Sequence, residues 1–353
     1  MRVYIPQILS LYPLVMRGRS VRQRRVIHPV IALLEEYGRG IEDLLYANLP
    51  KDLITAKEGV RYRYSLLSTS ESLRKFIDEY RSVAHVDELY RYVLFMATTL
   101  SAVGRGHVVM EPLYRSIRDL YDSGEFRDVV TGSVREFTKV RDVAEEFIRM
   151  YGEYSGRSLS VSVEELTKVW IRTARRIEWI CRVKADDLIS YLARFTSVRR
   201  FMVELMRDFV YYVVKGGKVS KSIRLLTKWS CHPKITAPLA IEICRRGKYV
   251  EYVAPIDMYT ATVVFRSGLF TLISGEKVNV LLAKLERAKE RGSTVILKLS
   301  KWDDVVQKLL HIGQDPIALE NALFNIGYRF CRTSTCDKCP LANYCRNYPV
   351  KVK

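Results

Sequence analysis

Four cysteines stand close together near the end of the sequence, at Cys331, Cys336, Cys339 and Cys345, with the spacing C-x4-C-x2-C-x5-C. Four thiolates can surround one metal centre, and both iron–sulfur clusters and structural zinc sites are held in this way. Zinc sites more often pair two C-x2-C units across a longer gap, whereas this sequence has a single C-x2-C unit. The spacing therefore favours a 4Fe–4S cluster, with structural zinc as the alternative.

A carboxylate, Asp257, follows Pro255 and Ile256 and stands directly before an apolar stretch at 258–269. An aspartate in this position is typical of a helix N-cap, because its side chain can accept a hydrogen bond from an unpaired backbone N–H group. A carboxylate in a cleft can also stabilise positive charge that develops on a sugar, or orient and deprotonate water. The residues alone favour capping.

Basic residues are in large excess: 58 Lys and Arg stand against 39 Asp and Glu in 353 residues, which gives a formal charge of +19. Such an excess suggests a polyanionic partner, either nucleic acid or an anionic membrane surface. Residues 1–30 include several arginines and no acidic residue, so they form either a solvated basic arm or an arm that contacts phosphates. We expect nucleic acid as the partner.

The cysteine usage indicates a reducing compartment. Cys181, Cys231 and Cys244 are scattered, and an odd total of seven without a regular framework argues against a secreted disulfide protein. Two prolines interrupt the apolar N-terminal stretch and no small-residue cleavage site follows it, so we do not interpret it as a targeting signal. No apolar run reaches the length of a membrane span. We therefore expect a cytoplasmic, nucleoid-associated monomer, and the composition suggests a prokaryotic thermophile.

Apolar residues recur at helical spacing along most of the chain from about residue 84. Strand-like segments are few, with one brief extended stretch at 249–256, so we predict an all-α fold. The stretch after Asp257 predicts a helix that ends at Gly268, and residues 316–331 predict helix up to the first cysteine of the group. We divide the chain into a basic extension (1–83), a helical lobe (84–250) and a lobe with the cysteines (251–353), on which the extension packs. A cleft is expected between the lobes.

Two segments resemble the helix-hairpin-helix DNA glycosylases, and in particular the branch with a cluster that includes endonuclease III and the adenine DNA glycosylases. The first is APIDMYTATVVFRSGL at 254–269, which is similar to the family stretch V-D-T-H-V-x-R-V-x-x-R-L-G-L in the positions of Asp257, Arg266, Gly268 and Leu269. The second is ENALFNIGYRFCRTSTCDKCPLANYC at 320–345. The family spacing there is C-x6-C-x2-C-x5-C, so the last three cysteines keep their register. The two segments cover a small part of the chain, but their combination and order are specific.

This resemblance implies an all-α, two-lobed DNA glycosylase fold with a C-terminal iron–sulfur loop, and DNA as the partner. It implies hydrolysis of the N-glycosidic bond of a damaged or mismatched base, with Asp257 as the catalytic carboxylate. Members with lyase activity use a lysine nucleophile, and Lys234 lies one residue from that position. The sequence departs from the family at 230–240, where the glycine-rich hairpin turn is missing, and at Met258 and Tyr259, which replace Thr-His.

Other side chains near these segments are candidates for contacts with DNA. Trp229 and Tyr259 lie near the proposed site in sequence and are candidates for stacking on an extruded base. Basic residues surround the cysteines, and a metal-tied loop can present them to phosphates. These candidates are Arg332, Lys338 and Arg346.

Three alternatives remain open at this stage. The chain could be a non-catalytic iron–sulfur relative that binds nucleic acid, because the loss of the hairpin and of the Thr-His pair is what such divergence would produce. It could be an iron–sulfur nuclease, although the sequence has no recognisable metal-binding carboxylate and lysine motif on a strand. It could be a structural zinc protein, in which the metal only ties down the terminal segment.

Overall fold

The computed structural model describes residues 28–41, 47–50, 52–53, 86–103, 108–193, 195, 198–216, 218–231 and 252–353. The chain divides into two compact units. We call Glu42–Pro255 the central unit, and Met1–Ile41 together with Ile256–Lys353 the terminal unit. Of the predicted extension at 1–83, only 28–41, 47–50, 52 and 53 belong to the described residues.

Helices make up most of the described residues, which confirms the prediction of an all-α fold at this level. In chain order the helices are α1 (Pro29–Gly40), α2 (Val86–Ala102), α3 (Met110–Asp122), α4 (Glu125–Thr131), α5 (Phe137–Ser155), α6 (Val163–Val183), α7 (Leu188–Ala193), α8 (Val198–Leu205), α9 (Tyr211–Val213), α10 (Lys218–Cys231), α11 (Met258–Ser267), α12 (Glu276–Glu290), α13 (Leu299–Leu310) and α14 (Pro316–Ile326). The strands are β1 (Val295–Leu297) and β2 (Val350–Val352). Over these described residues, no helix has both the length and the apolar character needed to cross a bilayer.

The core of the central unit forms around α2, which packs against α4, α6, α7 and α10. Two buried hydrogen bonds join α2 to α6: Trp170 Nε1 donates to Thr99 Oγ1 at 2.8 Å, and Thr173 Oγ1 donates to Thr98 Oγ1 at 3.2 Å. The Trp170 ring also packs against Phe126, with ring centroids 4.7 Å apart. Because these buried hydrogen-bonding groups have partners, they fix how α2 and α6 meet at little cost in stability.

Helix α6 begins at a well-formed cap. Ser162 Oγ accepts a hydrogen bond from the backbone N–H of Glu165 at 3.1 Å, and acidic residues occupy the first turn. Both features stabilise the start of a helix, since they satisfy a free N–H and complement the helix dipole. Its apolar face repeats at helical spacing and is buried at Leu166, Val169, Trp170, Ile177 and Ile180. The opposite face carries arginines.

Helix α8 passes into a wider π-helical turn at Met206–Val210 and then into α9. Asp208 lies in this turn and is buried, and its carboxylate accepts hydrogen bonds from Tyr191 Oη and Arg207 Nε, both at 3.1 Å. A π turn inserts an extra residue and rotates the residues after it, and such turns are frequent at functional sites. In this chain the turn determines how the residues of α9 face α6.

The terminal unit is organised around α14, which packs against α1, α11 and α13. Two glycines allow the closest of these approaches. A methyl group on Gly38 would overlap the carbonyl oxygen of Ala318, and one on Gly327 would overlap the backbone of Tyr259. Strands β1 and β2 form a parallel pair with Val295 opposite Val350. The sequence patterns indicated neither α1 nor this pair.

A buried carboxylate joins α1 to the start of α14. Glu35 is 3% exposed, and its Oε1 accepts hydrogen bonds from the backbone N–H groups of Gln314 and Asp315 at 2.6 and 2.8 Å. Asp315 is itself the N-cap of α14, since its Oδ1 accepts from the N–H of Ala318 at 3.0 Å. The buried carboxylate thereby has the hydrogen-bond partners that offset the cost of removing it from water.

One short helix is missing from the sequence predictions. The apolar spacing at 108–124 predicts a helix capped by Gly124, and α3 does end there, at Asp122 with Ser123 as its C-cap, but α4 directly after it was not predicted. Gly124 has a φ of 96° and is the residue from which α4 begins. A short helix after a left-handed glycine has too few apolar positions to show a period, which is why the pattern did not separate α4 from its neighbours.

Candidate active site

Asp257 is the N-cap of α11. Its Oδ1 accepts a hydrogen bond from the backbone N–H of Thr260 at 2.8 Å, as the capping interpretation predicted. The carboxylate is half-buried and lies at the positive end of the helix dipole, which favours its negative charge. The cap fixes the rotamer of the side chain. A carboxylate held in this way can stabilise a nearby positive charge as well as cap the helix.

An aromatic cluster adjoins the start of α11. The ring of Tyr259 meets the rings of Phe324 and Tyr328 edge-on, with centroids 6.0 and 5.5 Å apart, and these two rings stack on each other at 5.9 Å. All three side chains are half-buried. The Arg332 guanidinium lies 5.3 Å from the centre of the Tyr328 ring. Partly exposed rings of this kind offer a surface on which a flat, apolar ligand could stack.

Gly327 makes this cluster possible. It follows α14 directly and begins a π-helical turn, Gly327–Cys331, that ends at the first of the four cysteines. Since a Cβ at this position would overlap Tyr259, only glycine lets α11 approach this turn so closely. The prediction that helical structure runs into Cys331 agrees with this arrangement.

The other three cysteines lie on a loop of short turns. Cys336 begins a 3₁₀ turn, and Cys339 follows it and donates its backbone N–H to the carbonyl of Cys336 at 3.2 Å. Cys345 follows a second 3₁₀ turn, Ala342–Tyr344. Leu341 is the buried side chain of this loop and is 1% exposed. The loop therefore has little apolar core of its own.

The cysteine thiols influence one another. Burial raises the pKa of Cys331 to about 11; nearby Arg266 opposes the rise, whereas Cys339, Cys345 and Cys336 add to it. Burial also raises the pKa of Cys339. In the metal-free chain these two groups are therefore thiols at neutral pH, and a metal would have to displace their protons.

The fit of a metal centre can be judged from the donor set. In the described part of the chain, no three side chains among His, Cys, Asp and Glu are gathered as closely as a metal ion requires, and this includes the four cysteines. The donor chemistry nevertheless fits a four-thiolate centre, because the four cysteines lie within fifteen residues and the other three raise the pKa of Cys331.

The segment after the cysteines is fastened to the end of α11. The backbone N–H groups of Arg346 and Tyr348 donate to the carbonyls of Ser267 and Arg266, at 3.1 and 2.9 Å. The side chains of Arg266 and Asn347 are also hydrogen-bonded, at 2.9 Å. Gly268 has a φ of 86°, which ends the helix in the left-handed conformation that favours glycine. The helix that begins at Asp257 thus ends against the cysteine loop.

Two of the three predicted phosphate-binding cations are exposed without a competing carboxylate among the described residues. Arg332 lies beside the Tyr328 ring, and Lys338 makes no hydrogen bond or ion pair with any described residue. Arg346 differs, since its Nη1 donates to Tyr348 Oη at 3.2 Å and lies 3.9 Å from a Glu286 oxygen. It therefore serves partly to hold the loop in place.

The remaining predicted site residues fall elsewhere. Trp229 belongs to the central unit and is 1% exposed, so its ring is enclosed by the core and a base could reach it only after its neighbours move. Lys234 lies outside the described residues. Asp257, Tyr259, the four cysteines and the three cations all belong to the terminal unit.

Phe324 and Tyr328 were not among the predicted site residues. Their spacing of four places them on one face of helical structure, and this was the available indication. The same spacing is common in ordinary helix cores, so it could not single them out. Only their contact with Tyr259, from a distant part of the sequence, relates them to Asp257.

Comparison with known proteins adds no relative. The chain matches no protein-family model, no curated protein and no solved structure.

Proposed function

We propose that this protein is a DNA glycosylase that hydrolyses the N-glycosidic bond of a damaged or mismatched base. The observation that carries the proposal is what lies at the two ends of α11. This helix begins at a carboxylate held by its cap and carries the partly exposed ring of Tyr259 in its first turn. It ends in backbone hydrogen bonds to the segment that directly follows the four cysteines. The segments that resemble the glycosylases are thus joined in one unit by direct contacts.

In the proposed reaction Asp257 stabilises the transition state. Cleavage of the bond between the base and C1′ leaves the bonding electrons on the base and an oxocarbenium-like charge on the sugar. The Asp257 carboxylate stabilises that positive charge, which is larger in the transition state than in the bound substrate. Water then adds to C1′ and gives up a proton, while the departing base gains one. The cap to Thr260 holds the carboxylate in place during these steps.

Extrusion of the base is the step for which the aromatic cluster is proposed. Enzymes that act on a base take it out of the stack and hold it between aromatic or apolar side chains. Tyr259 follows Asp257 by two residues and its half-buried ring meets that of Tyr328, so these two rings are proposed to receive such a base. Arg332 and Lys338 would contact the DNA phosphates, in keeping with the formal charge of +19.

The proposed cofactor is a 4Fe–4S cluster held by Cys331, Cys336, Cys339 and Cys345. When bound, the metal centre would tie together a loop that has little apolar core of its own and so hold Arg332 and Lys338 in position. Structural zinc at the same four thiolates would serve the same purpose.

The function is tested with a panel of duplexes, each with one lesion or mismatch. We expect the purified chain to release at least one base, detected as alkali-sensitive strand cleavage. Borohydride added during the reaction separates hydrolysis from lyase chemistry. We expect no covalent adduct, since hydrolysis needs no Schiff base, whereas an adduct that disappears in Lys234→Ala would establish the lyase version. Binding of the duplexes without release of any base would favour the non-catalytic relative.

Removal of two central cysteines is expected to eliminate the metal. Anaerobically purified chain should be brown and contain iron and sulfide, and the double variant Cys336→Ser/Cys339→Ser should lose most of both, as measured by visible absorption and elemental analysis. Cys181→Ser is the matched control, because Cys181 is half-buried in the central unit, and it should keep its colour. A colourless wild-type protein that contains stoichiometric zinc would show that the four cysteines hold structural zinc and not an iron–sulfur cluster.

A further inference from the structure

A row of cations follows one face of α6 in the central unit. Lys168, Arg172 and Arg176 succeed one another at intervals of four residues, so each lies about 6 Å further along the helix axis than the last. Side chains four apart on a helix lie on the same side. The three cations therefore form a row along the length of the helix, on one side of it.

The last cation of the row lies between two aromatic rings. The Arg176 guanidinium is 3.5 Å from the centre of the Trp179 ring and 3.7 Å from that of Tyr212, a residue of α9. Arg176 Nε also donates a hydrogen bond to the backbone carbonyl of Asp208 in the π turn. The guanidinium is thus held by both elements, and the three groups form a fixed stack.

The outer ring of this stack is open. Tyr212 is 59% exposed although Arg176 covers one face of its ring, so the opposite face is accessible to solvent. An exposed tyrosine ring backed by a cation is a suitable platform for another flat π system, because stacking continues across the exposed face.

A cleft of about 360 Å³ is lined by the other cations and by Val213, the residue that follows Tyr212 in the chain. Its lining includes Thr98, Lys168, Arg172, Val213 and Lys215. Two carboxylates, Glu164 and Glu165, also line it, and Glu164 is paired with Lys168. Arg172 and Lys215 make no hydrogen bond or ion pair with the described residues, so their charges are available for an anion from outside.

We propose that this surface, which we call the α6 face (Lys168, Arg172, Arg176, Trp179, Tyr212 and Lys215), binds single-stranded nucleic acid. An unpaired base stacks on the open face of Tyr212, and the adjoining phosphates contact Arg172 and Lys215. Proteins that bind single strands combine cations that contact the phosphates with exposed aromatic rings on which bases stack. A base inside a duplex stays stacked between its neighbouring base pairs and cannot reach the ring. The site lies in the central unit and does not depend on the proposed catalysis at Asp257.

The stacking contact is tested by fluorescence anisotropy with the full chain and a labelled oligothymidylate single strand at physiological salt. Tyr212→Ala should weaken binding about fivefold or more, since loss of one stacked base has an effect of that size, and Tyr212→Phe should retain it. Tyr211→Ala is the matched control, because Tyr211 is the neighbouring exposed tyrosine and has no stacked cation among the described residues. Equal loss in Tyr211→Ala and Tyr212→Ala would overturn the proposal.

The phosphate contacts are tested independently of the ring. The double variant Arg172→Gln/Lys215→Gln should weaken binding and reduce the dependence of affinity on salt, because two phosphates lose their cations. Arg175→Gln, an exposed arginine on another side of α6, should change the affinity less. Unchanged affinity in the double variant, or duplex competitor as effective as single strand, would contradict the assignment. Binding of thymidine monophosphate as tight as that of the strand would overturn it in favour of a mononucleotide site.

Discussion

Asp257→Asn is expected to reduce the rate of base release by about a hundredfold or more while the protein remains folded. In the proposed reaction this variant loses the carboxylate charge that stabilises the oxocarbenium-like transition state, and losses of this kind have effects of that size. Asparagine caps helices about as well as aspartate, so the hydrogen bond from the N–H of Thr260 can persist and the free energy of unfolding should change little. The measurement is single-turnover base release on the duplex that the wild type processes best.

The chain offers a matched control for this variant. Asp315 caps α14 in the same way, with its Oδ1 accepting from the N–H three residues ahead at 3.0 Å, and it lies in the same unit. Asp315→Asn should leave both base release and stability near the wild-type values. Full activity in Asp257→Asn would remove Asp257 from the mechanism, and equal loss in the two variants would attribute the effect to helix capping.

Gly38→Ala is expected to destabilise the terminal unit by about 1–2 kcal/mol. The added methyl group would overlap the carbonyl oxygen of Ala318, so α1 must move away from α14 and core contacts of Ile31 and Leu34 are weakened. Overpacking of this kind typically costs about 1–3 kcal/mol, and it outweighs the ~1 kcal/mol by which alanine favours helix over glycine. Urea denaturation followed by circular dichroism measures the change.

Gly40→Ala is the control for this experiment. Gly40 lies two residues further along α1, and no other atom of the described residues lies within 4 Å of the position that its Cβ would take. Its substitution should leave the denaturation midpoint unchanged or raise it slightly. If both variants unfolded at the wild-type concentration of urea, the close approach of α1 to α14 would not exist in solution.

Local sequence patterns could predict the elements that are bounded by their own residues. The helix from Asp257 to Gly268 has a capping carboxylate at one end and a left-handed glycine at the other, and both act within a few residues. The four cysteines and their neighbouring cations were likewise apparent from spacing and composition. These features need no information about distant parts of the chain.

Contacts between distant residues were beyond the reach of such patterns. Glu35 looks like an ordinary charged residue of an amphipathic helix until its carboxylate is found to accept the N–H groups of Gln314 and Asp315. The stack of Trp179, Arg176 and Tyr212 depends on the π turn that rotates α9, which has no clear sequence signature. The aromatic cluster at Tyr259 similarly depends on contacts between α11 and the segment around Gly327, which lie far apart in the sequence.

The terminal unit is assembled from two segments that leave the ribosome far apart in time. Tyr37 Oη donates to Asn325 Oδ1 across 288 positions of sequence, and at ordinary rates of translation roughly 15–60 s separate the synthesis of the two residues. During that interval α1 has no α14 to cover Ile31 and Leu34, while the whole of the central unit is being made. The apolar face of a nascent α1 therefore stays without its partner helix until α14 is made, and late synthesis of α14 determines when the terminal unit can close.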